Sequence, residues 1–343
     1  MKILYGIQGT GHGHISRARE ILPMLTELAD VDVLLSGYNC NMNIDGIPVS
    51  KKRGISLAYD ANGSVSYLKT ALNLKPATFL RDVHTLDLKK YNLVISDYEP
   101  VTAWAALNKR IPSLALSHQA AFLSKKSPRP KQKSQFAEQI LKNFAPCNRA
   151  IGFHFQRYDT FIEPPIIRSE VMHSEPDRNN HITVYLPAYH HETLMRIFRQ
   201  IPQTQWHLFS PHCDEKFEEG NVVINPVGNL PFLESLKTGL GVVTSSGFET
   251  CAEAMFLGKK LLTIPIRNQY EQLCNAAALE KMGIQVIKQL DDSSIEAITN
   301  WLSSAPVISL NDAADAGMLT QKIVRYARRL KKTALGKKSG VVV

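Results

Sequence analysis

The chain has 343 residues and a net charge of +9, from 40 Lys and Arg against 31 Asp and Glu. Its 44% hydrophobic and 21% charged residues are typical of a folded globular protein and exclude the disordered and fibrous classes. No apolar run reaches the roughly 18 residues that a membrane-spanning helix needs. At about 100–200 residues per domain, the length predicts two domains.

The first element is a short apolar run at residues 1–7, which predicts a strand that begins almost at the N-terminus. The run is too short, and too soon interrupted by glycine, for a signal peptide, so we expect a cytoplasmic protein. Five scattered cysteines without a CxxC pair predict reduced thiols and argue against a disulfide framework or a zinc site.

Apolar runs and helix-period segments then alternate in two successive sets. The first set predicts strands at residues 3–7, 31–36, 93–96, 113–117 and 150–153, with helices at 15–28 and 101–107. The second predicts strands at 182–186, 206–209, 240–244 and 260–264, with helices at 193–199, 251–257 and 273–281 and further helices around 301–302 and 318–330. Such alternation favours parallel sheets that are covered by helices on both faces.

The join between the two sets is predicted at Glu163, Pro164 and Pro165, because adjacent prolines favour an extended link. We therefore predict an α/β protein of two doubly wound, Rossmann-like domains at residues 1–163 and 166–318, followed by a C-terminal helix and basic tail at 319–343. Ligands of such domains bind at the carboxyl ends of the strands, so we expect the site in the cleft between the domains.

A glycine-rich turn follows the first predicted strand and contains Gly9, Gly11, Gly13 and His14. Glycine lets the backbone approach a ligand closely, and the unpaired N–H groups of the following helix suit an anion. The spacing matches neither the GxGxxG dinucleotide fingerprint nor a Walker phosphate loop. A ligand-free turn is the alternative interpretation, although an imidazole here could accept a proton near neutral pH.

A second strand-to-helix turn is predicted at Ser246 and Gly247, where a helix N-terminus again offers an anion-binding site. Glu253 lies seven residues after Ser246, about two helical turns, and therefore on the same face of the helix. A carboxylate at that point could accept hydrogen bonds from both hydroxyls of a ribose while the helix end holds phosphate.

Residues 239–283 resemble the nucleotide-sugar-binding half of the inverting GT-B glycosyltransferases, most closely the MurG-type enzymes of family 28 and their uncharacterised bacterial and archaeal relatives. The pattern S-G-x-x-T-x-x-E, followed by G-K, a strand ending in proline and a glutamine-rich segment leading to N-A, is matched by Ser246, Gly247, Thr250, Glu253, Gly258, Lys259, Pro265, Gln272, Asn275 and Ala276. The first turn resembles the G-x-G-x-G-H-x-x-R motif of these enzymes at Gly9, Gly11, Gly13, His14 and Arg17.

The resemblance implies that the first domain binds the acceptor and that the second binds a nucleotide-sugar donor, expected to be a UDP-sugar, with no further cofactor. It implies that Ser246, Gly247 and the helix behind them hold the diphosphate, and that Glu253 holds the ribose. Further donor contacts are expected from Thr250, Gln269, Glu271, Gln272 and Tyr189, and acceptor-side loops from Gly9, Gly11, Gly13, Arg17, His118 and Gln119.

Glycosyl transfer needs a base that removes the acceptor proton, and His14, Asp97 and Glu99 are the candidates, each predicted at a strand end facing the cleft. His14 ranks first because a free imidazole titrates at about pH 6.5, while Asp97 could act as the base or orient the imidazole. Helix N-termini can stabilise a leaving diphosphate without a metal, so we expect an inverting, metal-independent reaction. The pair His190 and His191 lacks an HExxH pattern and predicts no metal site.

Two basic clusters bear on the choice of partner. They are Lys125, Lys126, Arg129, Lys131 and Lys133 in one loop, and Arg325, Arg328, Arg329, Lys331 and Lys332 near the end of the chain. Solvated surface is one interpretation. The other is peripheral contact with an anionic membrane, at the inner face of the cell membrane, if the acceptor is a cell-envelope glycan or a lipid-linked sugar.

Other functions are consistent with some of the same sequence features. A nucleotide-sugar 2-epimerase uses a similar two-domain fold and would form product from the donor without an acceptor. A non-catalytic nucleotide-sugar-binding protein would bind donor without turnover. Nucleic-acid binding through the basic clusters is the weaker interpretation, because no recognition motif accompanies them.

Overall fold

The computed structural model describes residues 1–9, 12–37, 47–55, 73 and 75–338, whose strands form two seven-stranded sheets. The strands of the first sheet lie between residues 2 and 163, and those of the second between residues 179 and 286. The two-sheet α/β architecture that the sequence predicts is therefore confirmed.

The first sheet is parallel throughout, with the order β3-β2-β1-β4-β5-β6-β7. Its strands are β1 (Lys2–Gln8), β2 (Asp30–Ser36), β3 (Val49–Lys52), β4 (Leu93–Asp97), β5 (Ser113–Ser117), β6 (Arg149–Phe153) and β7 (Ile162–Glu163). The strand order reverses between β1 and β4, where Ile7 pairs with Asp97. The ends of these two strands therefore lie side by side at the switch point, where a doubly wound sheet opens a crevice for ligands.

Helices cover both faces of this sheet. They are α1 (His12–Leu28), α2 (Pro76–Thr85), α3 (Pro100–Asn108) and α4 (Gln135–Asn143), together with a 3₁₀ helix at Gln119–Leu123. Because successive strand residues point to opposite faces, Ile3 packs in the same buried cluster as Ile21 of α1, whereas Leu4 packs with Val101 of α3. Both faces of β1 are thus buried, which explains its unbroken apolar sequence.

The second sheet has the order β10-β11-β9-β8-β12-β13-β14, parallel except for β10. Its strands are β8 (Asn179–Tyr185), β9 (Gln205–Ser210), β10 (Phe217–Glu219), β11 (Val222–Pro226), β12 (Gly239–Thr244), β13 (Lys260–Thr263) and β14 (Gln285–Val286). Here the order reverses between β8 and β12, whose ends pair through Tyr185 and Thr244. The turn that follows Thr244 therefore opens at the second switch point.

The helices of the second half are α5 (Ser169–Met172), α6 (His191–Phe198), α7 (Asn229–Thr238), α8 (Phe248–Phe256), α9 (Tyr270–Lys281), α10 (Ser294–Ser304) and α11 (Ala316–Lys338). The last of them returns to the first half of the chain. Ile323 and Ala327 of α11 are fully buried in one cluster with Ile21 and Leu25 of α1. Burial of this apolar surface links the end of the chain to the first sheet.

Every strand and helix predicted from the sequence overlaps one of these elements. The elements that the sequence did not predict are short or partly exposed, such as β3, β7, β10 and β14. Cys147, Cys213, Cys251 and Cys274 are free thiols, as predicted, and Cys40 lies outside the described residues. No helix in the described part of the chain combines the length and the apolar character needed to cross a membrane.

Candidate functional site

The turn between β1 and α1 places His14 against Asp97. The Nδ1 atom of His14 lies 2.7 Å from Oδ1 of Asp97, which ends the neighbouring strand β4. Asp97 is fully buried and His14 is 8% exposed. Because Asp97 is a carboxylate, Nδ1 carries the proton and donates it, and the other ring nitrogen, Nε2, is the basic atom. The sequence named both residues, and the structure brings them into a histidine–carboxylate pair.

Arg17 holds the other side of the same carboxylate. Its Nε donates to Oδ2 of Asp97 at 2.9 Å and its Nη2 donates to Oδ1 at 2.7 Å. Burial acts to raise the pKa of Asp97, but the charges of Arg17 and His14 outweigh it and hold that pKa below its usual value. Asp97 is therefore ionised at neutral pH and fixes the orientation of the imidazole, while the sequence analysis had placed Arg17 only on an acceptor-side loop.

Arg17 also reaches across the cleft to the second half of the chain. Its Nη1 donates to Oε1 of Glu249 at 2.6 Å, and Glu249 belongs to the first turn of α8. A Cβ atom on Gly13 would collide with the same carboxylate, so glycine at this position lets the Glu249 carboxylate lie where it does. Gly9, by contrast, donates its N–H to the carbonyl of Ser36 at 2.6 Å, and Gly11 lies outside the described residues.

Glu99 occupies a structural position rather than an open one. Its carboxylate accepts hydrogen bonds from the N–H groups of Val101 and Thr102, at 2.7 and 2.6 Å, and from the hydroxyl of Ser36 at 2.5 Å. It is the N-cap of α3 and is fully buried. The preceding residue, Tyr98, has φ 54, and this tight turn points Asp97 and Glu99 in different directions. The geometry argues against a role for Glu99 as general base, because its oxygens are used by the fold.

The turn that opens α8 follows the switch point of the second sheet. Ser246 is fully buried and its hydroxyl has no hydrogen-bond partner in the described part of the chain. Gly247 is the N-cap of α8, and no side chain of the described residues caps this helix. Three features therefore coincide here: an uncapped helix N-terminus, a buried hydroxyl and a glycine without a side chain. Together they leave donors for an anionic ligand.

Glu253 lies further along α8 and is 3% exposed. Its carboxylate is held by Arg168, whose Nε and Nη2 donate to the two oxygens at 2.5 and 2.6 Å. Burial raises the pKa of Glu253, and Arg168 acts in the opposite direction. Arg168 also donates to Asn229, the first residue of α7, at 2.8 Å. A ribose at Glu253 would therefore share the carboxylate with Arg168 or displace it.

His118 and Gln119, predicted on the acceptor side, contact the predicted donor side instead of solvent. The Nε2 atom of His118 lies 2.8 Å from Oδ1 of Asn275, and its ring stacks on Phe248 with centroids 3.9 Å apart. Gln119 donates to Oε2 of Glu271 at 2.9 Å. These residues form a contact between the 3₁₀ helix region and the N-termini of α8 and α9. The structure thus joins residues that the sequence assigned to opposite walls of the cleft.

The remaining predicted donor residues line the loops around α8 and α9. Gln272 accepts from the N–H of Ile266 at 2.9 Å, which ties its amide to the loop after β13. Gln269 is the N-cap of α9 and its Oε1 is buried without a partner in the described chain. Thr250 lies in the first turn of α8. The hydroxyl of Tyr189 accepts from the N–H of Leu290 at 3.0 Å, so it braces the loop after β8.

One group within the described residues has the spacing of metal ligands. Nitrogen and oxygen atoms of His190, His191 and Glu192 lie within 4.8 Å of one another at the start of α6. The side chains of His190 and Glu192 are 50% and 81% exposed. The three residues come from one short segment, and the histidine–carboxylate pair at His14 lies on a different sheet.

A groove lies beside the contact between the two halves, between the 3₁₀ helix and α4. It has a volume of about 540 Å³ and is lined by Phe122, Leu123, Ser124, Lys125, Arg129, Lys133, Gln135, Phe136, Glu138, Gln139 and Lys142. Leu123 and Phe136 are 44% and 65% exposed. Arg129 is not a free charge of the basic loop, because it donates to Glu138 at 2.5 Å and to the carbonyl of Phe122 at 2.7 Å.

A family model that matches most of the chain identifies the family. The model described as Glycosyl transferase family 1 matches residues 1–306. The chain belongs to that family. It is therefore a glycosyltransferase, as the sequence predicts, and the site between the two sheets is its candidate active site. No curated protein matches the chain.

Solved structures show which fold the transferase has. It resembles CalG4, the calicheamicin glycosyltransferase, with a TM-score of 0.58 and 14% identity over 100% of this chain and 99% of that one. It resembles Phytolacca americana UGT2 with a TM-score of 0.57 and 13% identity, over 95% and 93%. It resembles Acinetobacter baumannii MurG with a TM-score of 0.56 and 10% identity, over 96% and 99%. These likenesses confirm the GT-B fold and do not single out the MurG-type enzymes.

The sequence patterns give no role to two residues of the transferase that make long-range contacts in the structure. Glu249 lies in the quoted segment S-S-G-F-E-T but was given no role, and Arg168 follows the predicted join. Each makes its important contact with a residue more than 80 positions away. Their acidic and basic character was visible, but only the packing of α1, α5 and α8 identifies their partners.

Proposed function

We propose that this glycosyltransferase transfers a sugar from a nucleotide-diphosphate sugar, with inversion and without a metal, to a hydroxyl group of its acceptor. The observation that carries the proposal is the 2.7 Å contact between His14 and Asp97 at the switch point of the first sheet. An imidazole whose Nδ1 is held by a carboxylate presents Nε2 as a base, and one base with one displacement inverts the anomeric carbon.

The donor is proposed to bind at the turn of Ser246 and Gly247. The buried hydroxyl of Ser246 and the uncapped N-terminus of α8 offer hydrogen bonds and a positive dipole end to the diphosphate. As the diphosphate leaves, these donors stabilise the charge that develops on it, which removes the need for a metal ion. A UDP-sugar is the donor that we propose, since Phytolacca americana UGT2 is complexed with UDP-2-fluoroglucose.

A test of this function uses purified protein with UDP-, dTDP- and GDP-sugars, a panel of acceptors and an assay for released nucleotide. We expect release that depends on acceptor, continues in excess EDTA and gives a product of inverted anomeric configuration by NMR. Product formed from donor alone would favour the 2-epimerase, and donor binding without turnover would favour the non-catalytic function. Retention of configuration would contradict the proposal.

The ribose assignment has its own test at Glu253 and Arg168. We expect Glu253→Gln to weaken nucleotide binding, measured by calorimetry, by about tenfold, because one ribose hydroxyl loses a charged acceptor. Arg168→Gln is the matched variant: it breaks the same ion pair but leaves the carboxylate in place. Equal weakening in both variants would show that the ion pair, and not a ribose contact, controls binding.

For the acceptor, we propose an amphiphilic cell-envelope molecule that is met at an anionic lipid surface on the inner face of the cell membrane. The groove next to α4 combines the exposed apolar side chains of Leu123 and Phe136 with Lys125, Lys133 and Lys142. Apolar side chains bordered by lysines complement acyl chains under anionic headgroups, with about 1 kcal/mol for each well-placed charge.

Vesicle co-sedimentation tests this part of the proposal. We expect binding to vesicles that contain anionic lipid, loss of binding at high salt, and weaker binding by the triple variant Lys125→Gln, Lys133→Gln and Lys142→Gln. Phe136→Ser should weaken binding to the same vesicles while leaving its salt dependence intact. Equal recovery with neutral and anionic vesicles would reject the membrane contact.

A further inference from the structure

Four charged or titratable groups form a continuous chain from one half of the enzyme to the other. Glu249 of α8 accepts from Nη1 of Arg17, Arg17 donates twice to Asp97, and Asp97 accepts from His14. The distances along this chain run from 2.6 to 2.9 Å. Because Arg17 is only 3% exposed, its charge is screened little by solvent and acts strongly on its neighbours.

The contact between Glu249 and Arg17 is also specified sterically. The carboxylate of Glu249 lies against the backbone of Gly13, where a Cβ atom would collide with it. Gly13 is in the first turn of α1, one residue before His14. The absence of a side chain at Gly13 therefore leaves room for the Glu249 carboxylate beside Arg17.

We propose that Arg17 and Glu249 are positioning residues that link the donor-binding helix α8 to the general base His14. This inference rests on the proposed function and deepens it. When α8 approaches α1, Glu249 orients Arg17, and Arg17 holds Asp97 in the position that fixes the imidazole. The base is thereby fully assembled only while the donor-side helix is in contact with the acceptor-side domain.

Four charged or titratable side chains of the described residues lie around His14 or its direct partners. Asp97 comes from β4, Arg17 from α1 and Glu249 from α8, and Tyr5 of β1 is buried near Arg17 and Asp97. Burial, with the charge of Asp97, raises the pKa of Tyr5 well above its usual value, so this hydroxyl stays neutral. Among the described residues, the charges around the imidazole are therefore those of Asp97, Arg17 and Glu249.

Because Arg17 and Glu249 carry opposite charges, removing one or the other should have opposite effects on the protonation of the His14 ring. Arg17→Gln removes a positive charge whose Nη2 lies 3.1 Å from Nδ1 of His14, so the imidazolium is stabilised and the ring titrates at higher pH. Glu249→Gln removes the negative charge that neutralises Arg17, so the ring titrates at lower pH.

The experiment records the NMR titration of the His14 ring in the full-length protein, without any substrate. We expect the midpoint to move to higher pH in Arg17→Gln and to lower pH in Glu249→Gln. Gly13→Ala keeps both charges but displaces the Glu249 carboxylate, and it should move the midpoint in the same direction as Glu249→Gln. The matched controls are Arg157→Gln and Asp312→Asn, which break an exposed ion pair of 3.2 Å elsewhere and should leave the midpoint unchanged.

Kinetics with an active donor and acceptor give the second readout. In Glu249→Gln we expect kcat to fall about tenfold with little change in donor KM, and the acid limb of the pH–rate profile to move in the same direction as the NMR midpoint. Unchanged midpoints, or midpoints that move the same way in Arg17→Gln and Glu249→Gln, would overturn the proposal whatever the activity. Failure of the wild-type protein to turn over any donor would instead overturn the proposed function, and the NMR result would still stand. If Arg17→Gln does not fold, the NMR midpoints and kinetics of Glu249→Gln and Gly13→Ala test the proposal instead.

Discussion

The starts of α1 and α8, which meet through Arg17 and Glu249, use their polar side chains in opposite ways. At the start of α1, His14, Arg17 and Asp97 hydrogen-bond to one another, and little of their surface is exposed. At the start of α8, by contrast, no described residue pairs with the buried hydroxyl of Ser246 and no described side chain caps the helix. Within the described part of the chain, the polar side chains beside α1 are therefore paired with one another, whereas the hydroxyl beside α8 has no partner.

This difference separates orienting a base from binding an anion. A general base works best when it is held in one orientation before the substrate arrives, because any reorientation during the reaction adds to the barrier. A site for a diphosphate must instead keep its hydrogen-bond donors free until the ligand binds. In the proposed function, the start of α1 serves the first purpose and the start of α8 the second.

The strongest way to break the comparison is to remove the base. We expect His14→Ala to lower kcat by about 10²–10⁴-fold while nucleotide affinity stays almost the same, because general base catalysis contributes about this much. Nucleotide release under saturating donor measures the first quantity and calorimetry the second. Asp97→Asn should give a smaller loss of kcat, because it keeps a partner for Nδ1 but not its charge. Wild-type kcat in His14→Ala would remove the α1 turn from the chemistry.

Glu99 gives a second test of this comparison, because it lies two residues after Asp97 but its carboxylate caps α3 instead of contacting His14. We expect Glu99→Ala to lower the free energy of unfolding by about 2 kcal/mol, the upper range for loss of an N-cap, because Ser36 also loses its partner. The melting temperature should fall by about 4–8 °C. Below that temperature kcat should remain near wild type. A loss of kcat as large as that of His14→Ala, in folded protein, would return Glu99 to the candidate bases.

Gly247 allows a direct test of the α8 turn. A Cβ on Gly247 would have its nearest neighbour 3.9 Å away and φ is −68, so Gly247→Ala should fold normally. The added methyl would lie at the entrance to the proposed diphosphate site, and we expect nucleotide binding to weaken about tenfold, about 1.4 kcal/mol. An unchanged dissociation constant by calorimetry would place the diphosphate somewhere else.

The last prediction concerns a histidine pair that lacks the arrangement at His14. His181 and His207 stack with centroids 3.9 Å apart in the second half of the chain. Burial, then the charges of His181 and Lys216, lower the pKa of His207 to about 4. The unfolded state thus binds protons first, so the free energy of unfolding should decrease as pH falls from about 6.5 toward 4, and stay level above that range. In His207→Phe, chemical unfolding at several pH values should show a flatter dependence; an unchanged slope would contradict this assignment.

Local sequence patterns were enough for much of the fold and for several site residues. Alternation of apolar runs with helix-period segments predicted the strands that carry the site, because burial of a parallel sheet on both faces demands continuous apolar sequence. The turn motifs drew attention to His14, Asp97, Ser246 and Gly247, since glycine and helix N-termini have defined backbone uses. These properties are local and can be identified along the chain.

The partners of each polar side chain could not be identified in that way. Glu99 and Asp97 are two residues apart and chemically alike, yet one caps α3 and the other holds His14, because Tyr98 turns the chain between them. His118 and Gln119 were expected on one wall of the cleft and contact Asn275 and Glu271 on the other. Neither distinction is encoded in residue type or spacing.

The sequence by itself therefore determined the α/β class, the strands that carry the site and the resemblance to GT-B glycosyltransferases, but not the MurG-type assignment. The tertiary structure decided that Asp97 supports His14, that Arg17 meets Glu249 and that Arg168 occupies Glu253. The physical reason is the separation along the chain over which each kind of interaction acts. Backbone conformation and amphipathic patterns depend on residues a few positions apart, whereas buried charges are stabilised by partners that chain folding brings together from 80 to 232 positions away.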